Sequence, residues 1–492
     1  MRNVQRAACA AIAVLCLSAC SREPVANNEP DLQPVTGARI VSAEQGEWLS
    51  HGRDYAEQRF SPLTQINDQT VKELGLAWFA PLPTRRGIEA TPLMADGVLY
   101  VTASWGHVLA FDARSGEPLW HFDPKVPKDY GVRGCCDAVN RGAALWGDKV
   151  YAASYDGRLN ALDRNTGELV WQVDTRLNTE DPYTVTGAPR IVNGLVIIGN
   201  GGAELGVRGY VTAYDAESGE QRWRFFTVPG NPAEGFEDAT QARIAKTWYG
   251  QWWENGKGGG TAWDSFAFDP ALNLLYIGVG NGSSWNRKIR SEGKGDNLFL
   301  SSIVAVKADT GEYVWHYQTT PGDSWDYTAT QHMILADIAI DGEPRKVIMQ
   351  APKNGFFYVL DRESGELLSA EKYMPVNWAS HVDMETGRPV EAPGLRDGSF
   401  PGMIQPAPSG AHNWQPMSYS PKTGLVYIPA MVSGAIYADD FSAKDRGGVW
   451  NTNYAIAPML EVPDAVPVEQ RAQMGEMLLK SVLVARDPAS NR

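Results

Sequence analysis

Two adjacent cysteines, Cys135 and Cys136, and three oxygen-bearing residues that each follow an apolar run, Glu204, Asn281 and Asp326, are the side chains whose types and spacing suggest chemistry. Cys9 and Cys16 lie in the N-terminal apolar run and Cys20 just beyond it, which leaves Cys135 and Cys136 as the thiols of the body. In an oxidising compartment neighbouring thiols can bond to each other, closing a tight ring of the strained kind that gathers at functional sites. The alternative is two reduced thiols packed as small apolar residues, and the spacing leaves both open. Glu204 ends Gly-Asn-Gly-Gly-Ala-Glu, Asn281 sits in Gly-Val-Gly-Asn-Gly, and Asp326 sits in Asp-Ser-Trp-Asp-Tyr. Carboxylate and amide oxygens suit a hard cation such as calcium. Taken singly, each also suits a residue that merely stabilises a turn.

The elements that must position these residues come from an internal repeat. Ala110–Trp120 (AFDARSGEPLW) recurs as Ala161–Trp171 (ALDRNTGELVW) and Ala213–Trp223 (AYDAESGEQRW), with weaker copies at Ala305–Trp315 and Val359–Ser369. Gly116, Gly167 and Gly219 stand 51 and 52 residues apart, and Gly311 and Gly365 stand 54 apart. The 92 residues from Gly219 to Gly311 read as two shortened repeats. Each copy is an alternating strand, a tight turn whose Gly takes positive φ, and a strand ending in Trp. With a strand pair upstream, one repeat holds about four strands, the content of a propeller blade. Phe225–Gly260 and Ala438–Gln473 fall outside the period and are expected to be insertions. The chain ends on Asp487-Pro-Ala-Ser-Asn-Arg492, the start of another turn, with Asn491 where the Gly belongs.

Composition agrees with an all-β protein: 49 Gly, 17 Trp, 19 Tyr and 14 Phe in 492 residues are turn-rich and aromatic-rich together. Length alone would suggest about three domains, but the repeat makes one propeller. A hydrophobic content of 43% excludes a disordered chain, and 44 basic against 58 acidic residues, a net charge of −14, argues against nucleic acid as a partner. Arg2, Arg6, the apolar run Ala7–Leu17 and Leu-Ser-Ala-Cys20 read as a secretory signal ending in a lipobox. The expected organisation is a signal over 1–20, a linker over 21–45 and a propeller over 46–492. The expected location is the periplasm, with lipid on Cys20 as a possible membrane anchor; a plain cleaved signal is the alternative.

Five motifs in order, Arg133–Gly142 (RGCCDAVNRG), the run ending at Glu204, Thr261–Ser265 (TAWDS), Gly280–Trp285 (GNGSSW) and Trp325–Tyr327, resemble the pyrroloquinoline-quinone (PQQ)-dependent alcohol dehydrogenases of the methanol and ethanol dehydrogenase type. The resemblance covers nearly the whole mature length. It implies an eight-bladed β-propeller of the quinoprotein alcohol dehydrogenase kind with the quinone on its axis, incomplete at the C-terminus because the family continues for about two more blades.

The resemblance implies a Cys135–Cys136 disulfide against one face of the quinone and Trp263 against the other. Glu89, Arg141, Thr186, Gly202, Ala203, Thr261, Lys353, Asn413 and Trp414 match cofactor-binding positions. Glu204, Asn281 and Asp326 would bind the metal, with Asp326 also the general base, kept ionised at neutral pH by the ion. Lanthanide-using relatives carry an Asp two positions beyond that base, whereas this chain has Thr328, which points to calcium. The implied reaction oxidises an alcohol to an aldehyde, the quinone accepting the electrons and the ion polarising it. The sequence contains no Cys-x-x-Cys-His haem motif, so the expected acceptor is a separate cytochrome c. Two other readings are a lipid-anchored propeller scaffold in the cell envelope and an inactive, truncated dehydrogenase. A scaffold has no need of the cysteine pair, Trp263 or the Glu204, Asn281 and Asp326 set.

Overall fold

The computed structural model describes residues 32–396, 403–440, 450–458 and 480–492. The expected signal, with Cys20, lies outside them. The described chain is an all-β propeller. Its first blade is the antiparallel meander Leu93–Ala95, Val98–Ala103, His107–Asp112 and Pro118–Phe122. Equivalent four-stranded sheets span 144–174, 190–226, 266–318 and 333–372, and a sixth sheet joins Ser418–Ser420, Leu425–Val432 and Lys480–Arg486.

Each sheet buries both faces against its neighbours, so the core is a series of inter-blade clusters rather than one centre. Val150, Ala152 and Leu162 of the second blade pack toward the first, while Tyr151, Ala153 and Leu159 pack toward the third. Inner strands such as Lys149–Ala153 are consequently buried throughout, whereas the outer strand Leu169–Asp174 alternates between exposed and half-buried.

The repeated turn explains itself at atomic level. Asp112 Oδ1 accepts hydrogen bonds from the Arg114 and Ser115 amides and the Ser115 hydroxyl, and the Gly116 amide closes on the Asp112 carbonyl. The turn glycine has φ +76 at Gly116 and +73 at Gly167. It is also the floor on which the preceding blade's Trp rests: a Cβ on Gly167 would lie 2.5 Å from the Trp120 ring. Trp120, Trp171 and Trp223 further donate their indole N–H to Arg164, Ala216 and Ala308 carbonyls at 2.9–3.1 Å. Trp78, which the repeat did not reveal, docks on Gly116 in the same way and donates to the Ala113 carbonyl. Asn491 takes the left-handed conformation of the missing glycine, φ +53.

Two expectations need correction. The 92 residues between Gly219 and Gly311 hold a single blade, not two shortened repeats; the excess is the excursion 227–260, with the helix Ala239–Ile244, and a long inner turn between Gly278 and Ser302. The expected linker is packed over its described part, because Val35 bridges Gly147 and, with Ile40, is buried against the first two blades. A further Asp-x-x-Thr-Gly turn, Asp383–Gly387, joins the hairpin Ala379–Asp383 and Arg388–Glu391 instead of a blade.

Residues 48–59 tie several blades together. The Leu335 amide donates to the Ala56 carbonyl, the Tyr419 amide to the Gln58 carbonyl, and Trp48 bridges Met94. At its centre the buried Glu57 accepts from Arg190 Nε at 2.7 Å and faces His51 and His332 at 3.4 and 3.3 Å. The three residues resemble a metal-ligand set, with ligand atoms within 4.8 Å of one another. Arg190 already supplies the cation, and both imidazoles are neutral donors, held down to about 3 and about 4, chiefly by burial. Glu57 is held well below the usual carboxylate range: Arg190 and the two imidazoles outweigh the burial that opposes them.

These shifts set an acid limit. Below about pH 6.5 the unfolded chain protonates His51 and His332 while the folded chain does not until about pH 4 to 3, so stability falls with pH by about 1.4 kcal/mol per unit for each group. The Glu57 contribution is present above about pH 4.5, its unfolded value, and is lost as pH falls through its depressed folded value. Thermal melting between pH 7.5 and 5 is expected to show a falling midpoint; a flat or rising one contradicts the buried-imidazole account. Gly167→Ala should destabilise by about 2 kcal/mol or more, read by chemical denaturation, because the methyl meets Trp120 at a positive φ.

Candidate active site

The blade repeat brings the chemically suggestive residues to one end of the propeller. Glu89, Arg141, Thr186, Trp263, Asp326 and Asn413 each lie in the segment leading into the innermost strand of a successive blade, from the first to the sixth. Glu204, Asn281 and Lys353 occupy a second equivalent place, the turn between the second and third strands of the third, fourth and fifth blades. Both sets line one cavity of about 210 Å³, together with Cys135, Cys136, Gly202, Thr261 and Trp414. Of the residues singled out in the sequence, Ala203 alone is not in that lining; it is buried and opens the short turn of helix that carries Glu204.

Cys135 and Cys136 are bonded to each other, at the cavity wall between the first and second blades, with Cys136 at φ +69. Arg141 is the main cationic centre. It donates to Thr186 Oγ1 at 2.8 Å, lies 2.8 Å from Glu89 Oε2 and 3.7 Å from Asp264 Oδ1, and its guanidinium sits 4.8 Å from the Trp263 ring centre. The Glu89 contact, made by Arg141 Nη2, is close but misaligned, so Glu89 Oε2 has no properly directed hydrogen bond; Arg141 Nε, facing Asp264, has none either, and both atoms are buried. Such orphaned polar atoms beside a cavity mark where a polar ligand group can bind.

Opposite them, Lys353 Nζ donates to Asp326 Oδ2 at 2.7 Å, and Asn281 Nδ2 lies 3.2 Å from Glu204 Oε1. Asp326 holds φ +65, uncommon for a residue with a side chain, and its loop is fixed by Asp323 Oδ1, which accepts from the Trp325 and Tyr327 amides at 3.1 Å. Burial pushes the Asp326 carboxyl up to about 8, with Glu204 adding to the rise and Lys353 only partly offsetting it. Burial likewise raises Glu89 against the pull of Arg141, and takes Asp264 to about 6. The carboxyl groups around the cavity are thus short of positive charge, and an ionised Asp326 at neutral pH calls for a further cation beside it. Glu204, Asn281 and Asp326 are the oxygen donors that could hold a hard divalent ion; the Asn281 amide presents its oxygen on turning over.

The cavity also has walls that the sequence did not single out individually. Val139, Thr184, Gly201, Trp285 and Trp450 line it. Trp285 had a signal in its motif, whereas Trp450 lies in a stretch read only as an insertion. Residues 451 and 452 of it lie over the loops of Glu204 and Asn281: the Asn451 amide donates to the Glu204 carbonyl, and the Trp285 and Asn286 amides donate to Asn451 and Thr452 carbonyls at 3.1 Å.

Comparison with known proteins agrees with this arrangement. Residues 48–393 match the family described as "PQQ: Glucose/ethanol/alcohol dehydrogenase, beta-propeller domain". The chain is 57% identical over 450 residues to quinohemoprotein alcohol dehydrogenase ADH IIB of Pseudomonas putida, covering 89% of this chain and 65% of that protein. It is 50% identical over 411 residues to 1-butanol dehydrogenase (cytochrome c) of Thauera butanivorans, covering 81% and 58%. It therefore spans less than two thirds of the length of these relatives. The solved structure of quinohemoprotein alcohol dehydrogenase ADHIIG from Pseudomonas putida superposes with a TM-score of 0.88 at 54% identity, covering 93% of this chain and 67% of that one. With the propeller, the ordered motifs and the axial cavity in agreement, the chain belongs to the PQQ-dependent alcohol dehydrogenase β-propeller family.

Proposed function

We propose that this propeller binds pyrroloquinoline quinone and calcium in the axial cavity and oxidises alcohols to aldehydes, passing electrons to a cytochrome c. The observation that carries the reading is the convergence of the bonded Cys135–Cys136 pair, Trp263 and the Glu204, Asn281 and Asp326 oxygens on one small cavity. The names of the relatives, which include an alcohol dehydrogenase and a cytochrome c-linked butanol dehydrogenase, support the substrate class and the acceptor. Export to the periplasm and a lipid anchor at Cys20 are part of the same proposal and rest on the N-terminal sequence.

The residues fit the cofactor by their chemistry. A disulfide and an indole offer two apolar surfaces for a flat ring, Arg141 and Thr186 offer donors for carboxylates, and Glu89 Oε2 and Arg141 Nε are buried without aligned partners. The raised carboxyl groups at the cavity fit a divalent ion for the same reason. Bound there, the quinone would supply a two-electron acceptor and the ion a Lewis acid.

The chain's own residues do the rest. Asp326 takes the proton of the alcohol hydroxyl; Lys353, on Oδ2, leaves Oδ1 free to accept it. Trp285, Trp414, Trp450 and Val139 close the cavity to water and give an alkyl chain apolar contact. Thr328 supports calcium: it is neutral, and its hydroxyl is engaged with Thr330 and Gln331.

Purified protein given the quinone and calcium is expected to acquire quinone absorbance and to reduce an artificial dye with primary alcohols. Absence of both sinks the proposal. Asp326→Asn should retain bound quinone yet lose turnover by about 100-fold or more; turnover near the wild-type value refutes the base assignment.

A further inference from the structure

Arg290, in the short helix Arg287–Ser291, is the most deeply buried cation near the site, with no exposed surface and no carboxylate among its hydrogen-bond partners. Burial of this kind is expensive unless every N–H is satisfied, and here every one is. Nη1 donates to the Ser284 and Trp285 carbonyls, Nη2 to the Asp323 carbonyl at 2.6 Å, and Nη2 and Nε both to Asn297 Oδ1, at 3.1 and 3.2 Å. Asn297 is anchored in turn by donating to the Thr247 carbonyl and to Ser291 Oγ.

The acceptors belong to two separate loops. Ser284 and Trp285 continue the turn that begins at Asn281, in the fourth blade; Asp323 opens the loop that ends at Asp326, ahead of the fifth. Arg290 donates no hydrogen bond to Asn281 or Asp326. Its guanidinium lies against Gly282, where a Cβ would meet Nη1 at 2.5 Å and Cζ and Nε at 2.6 Å, so the residue after Asn281 has room only for a hydrogen atom. A planar group with five fixed donors is suited to this clamp, and a lysine ammonium with three is not.

We propose that Arg290 is a positioning residue that fixes the spacing of Asn281 and Asp326, and thereby the affinity of the ion site, by clamping the two loops that carry them. This rests on the reading of Glu204, Asn281 and Asp326 as ion ligands. It assigns the clamp no part in the reaction itself, because its donors end on backbone carbonyls and on Asn297.

The test is calcium titrated into quinone-saturated wild-type, Arg290→Lys and Arg290→Met proteins, followed by quinone absorbance, with thermal melting of each and turnover at saturating calcium. The half-saturating calcium concentration is expected to rise tenfold or more in both variants, and excess calcium should restore kcat to within about threefold. Lowered melting with an unchanged calcium midpoint would make Arg290 merely structural and overturn the proposal. So would kcat that stays low at saturating calcium. If the Arg290 variants do not fold, Gly282→Ala, which displaces the guanidinium, must show the same calcium shift, and an unchanged midpoint there overturns it equally. Wild-type protein that takes up quinone but shows no calcium dependence overturns the ligand assignment itself, a result distinct from a variant that matches the wild type.

Discussion

The contact between an indole on one blade and the turn glycine of the next fixes the angle at which successive blades meet, and the position of every site residue follows from that angle. Trp78, Trp120, Trp171, Trp223 and Trp315 each lie against the glycine of the following blade, at Gly116, Gly167, Gly219, Gly311 and Gly365, so closely that no Cβ fits. Because the joint repeats, equivalent places in successive blades converge on the axis. Six blade-entry segments and three inner turns thus deliver side chains from residues 89 to 414 to a cavity of about 210 Å³.

Buried charge is handled in three ways, and the differences separate scaffold from site. Glu57 is saturated by Arg190 and two neutral imidazoles, which makes it a tie between the segment 48–59 and the third and fifth blades. Arg290 is saturated by carbonyls and Asn297, which makes it a clamp between loops. Asp326, buried, and Glu89, half-buried, have too little positive charge nearby to hold their carboxyl groups in the ordinary range. Groups left short in this way, in a cavity with converging donors, are the ones a ligand completes.

The repeat was legible because its physical causes are local: an aspartate that caps a turn, a glycine at positive φ, and an aromatic residue in the strand that follows. The same locality misled where a blade swells by insertion, between Gly219 and Gly311. The site residues were legible through short motifs whose order matches a family. Glu57, Arg290 and Trp450 were not, since their roles depend on partners far away in sequence: Arg190 and His332 for Glu57, Asp323 for Arg290, and the loops of Glu204 and Asn281 beneath the 450–453 segment. No local pattern announces a contact of that range.

The most direct test is a crystal structure of the protein loaded with quinone and calcium. The account predicts the quinone ring between the Cys135–Cys136 disulfide and Trp263, with the ion about 2.3–2.6 Å from oxygens of Glu204, Asn281 and Asp326. A quinone bound elsewhere, or an ion held by other residues while these three keep their present contacts, would contradict it.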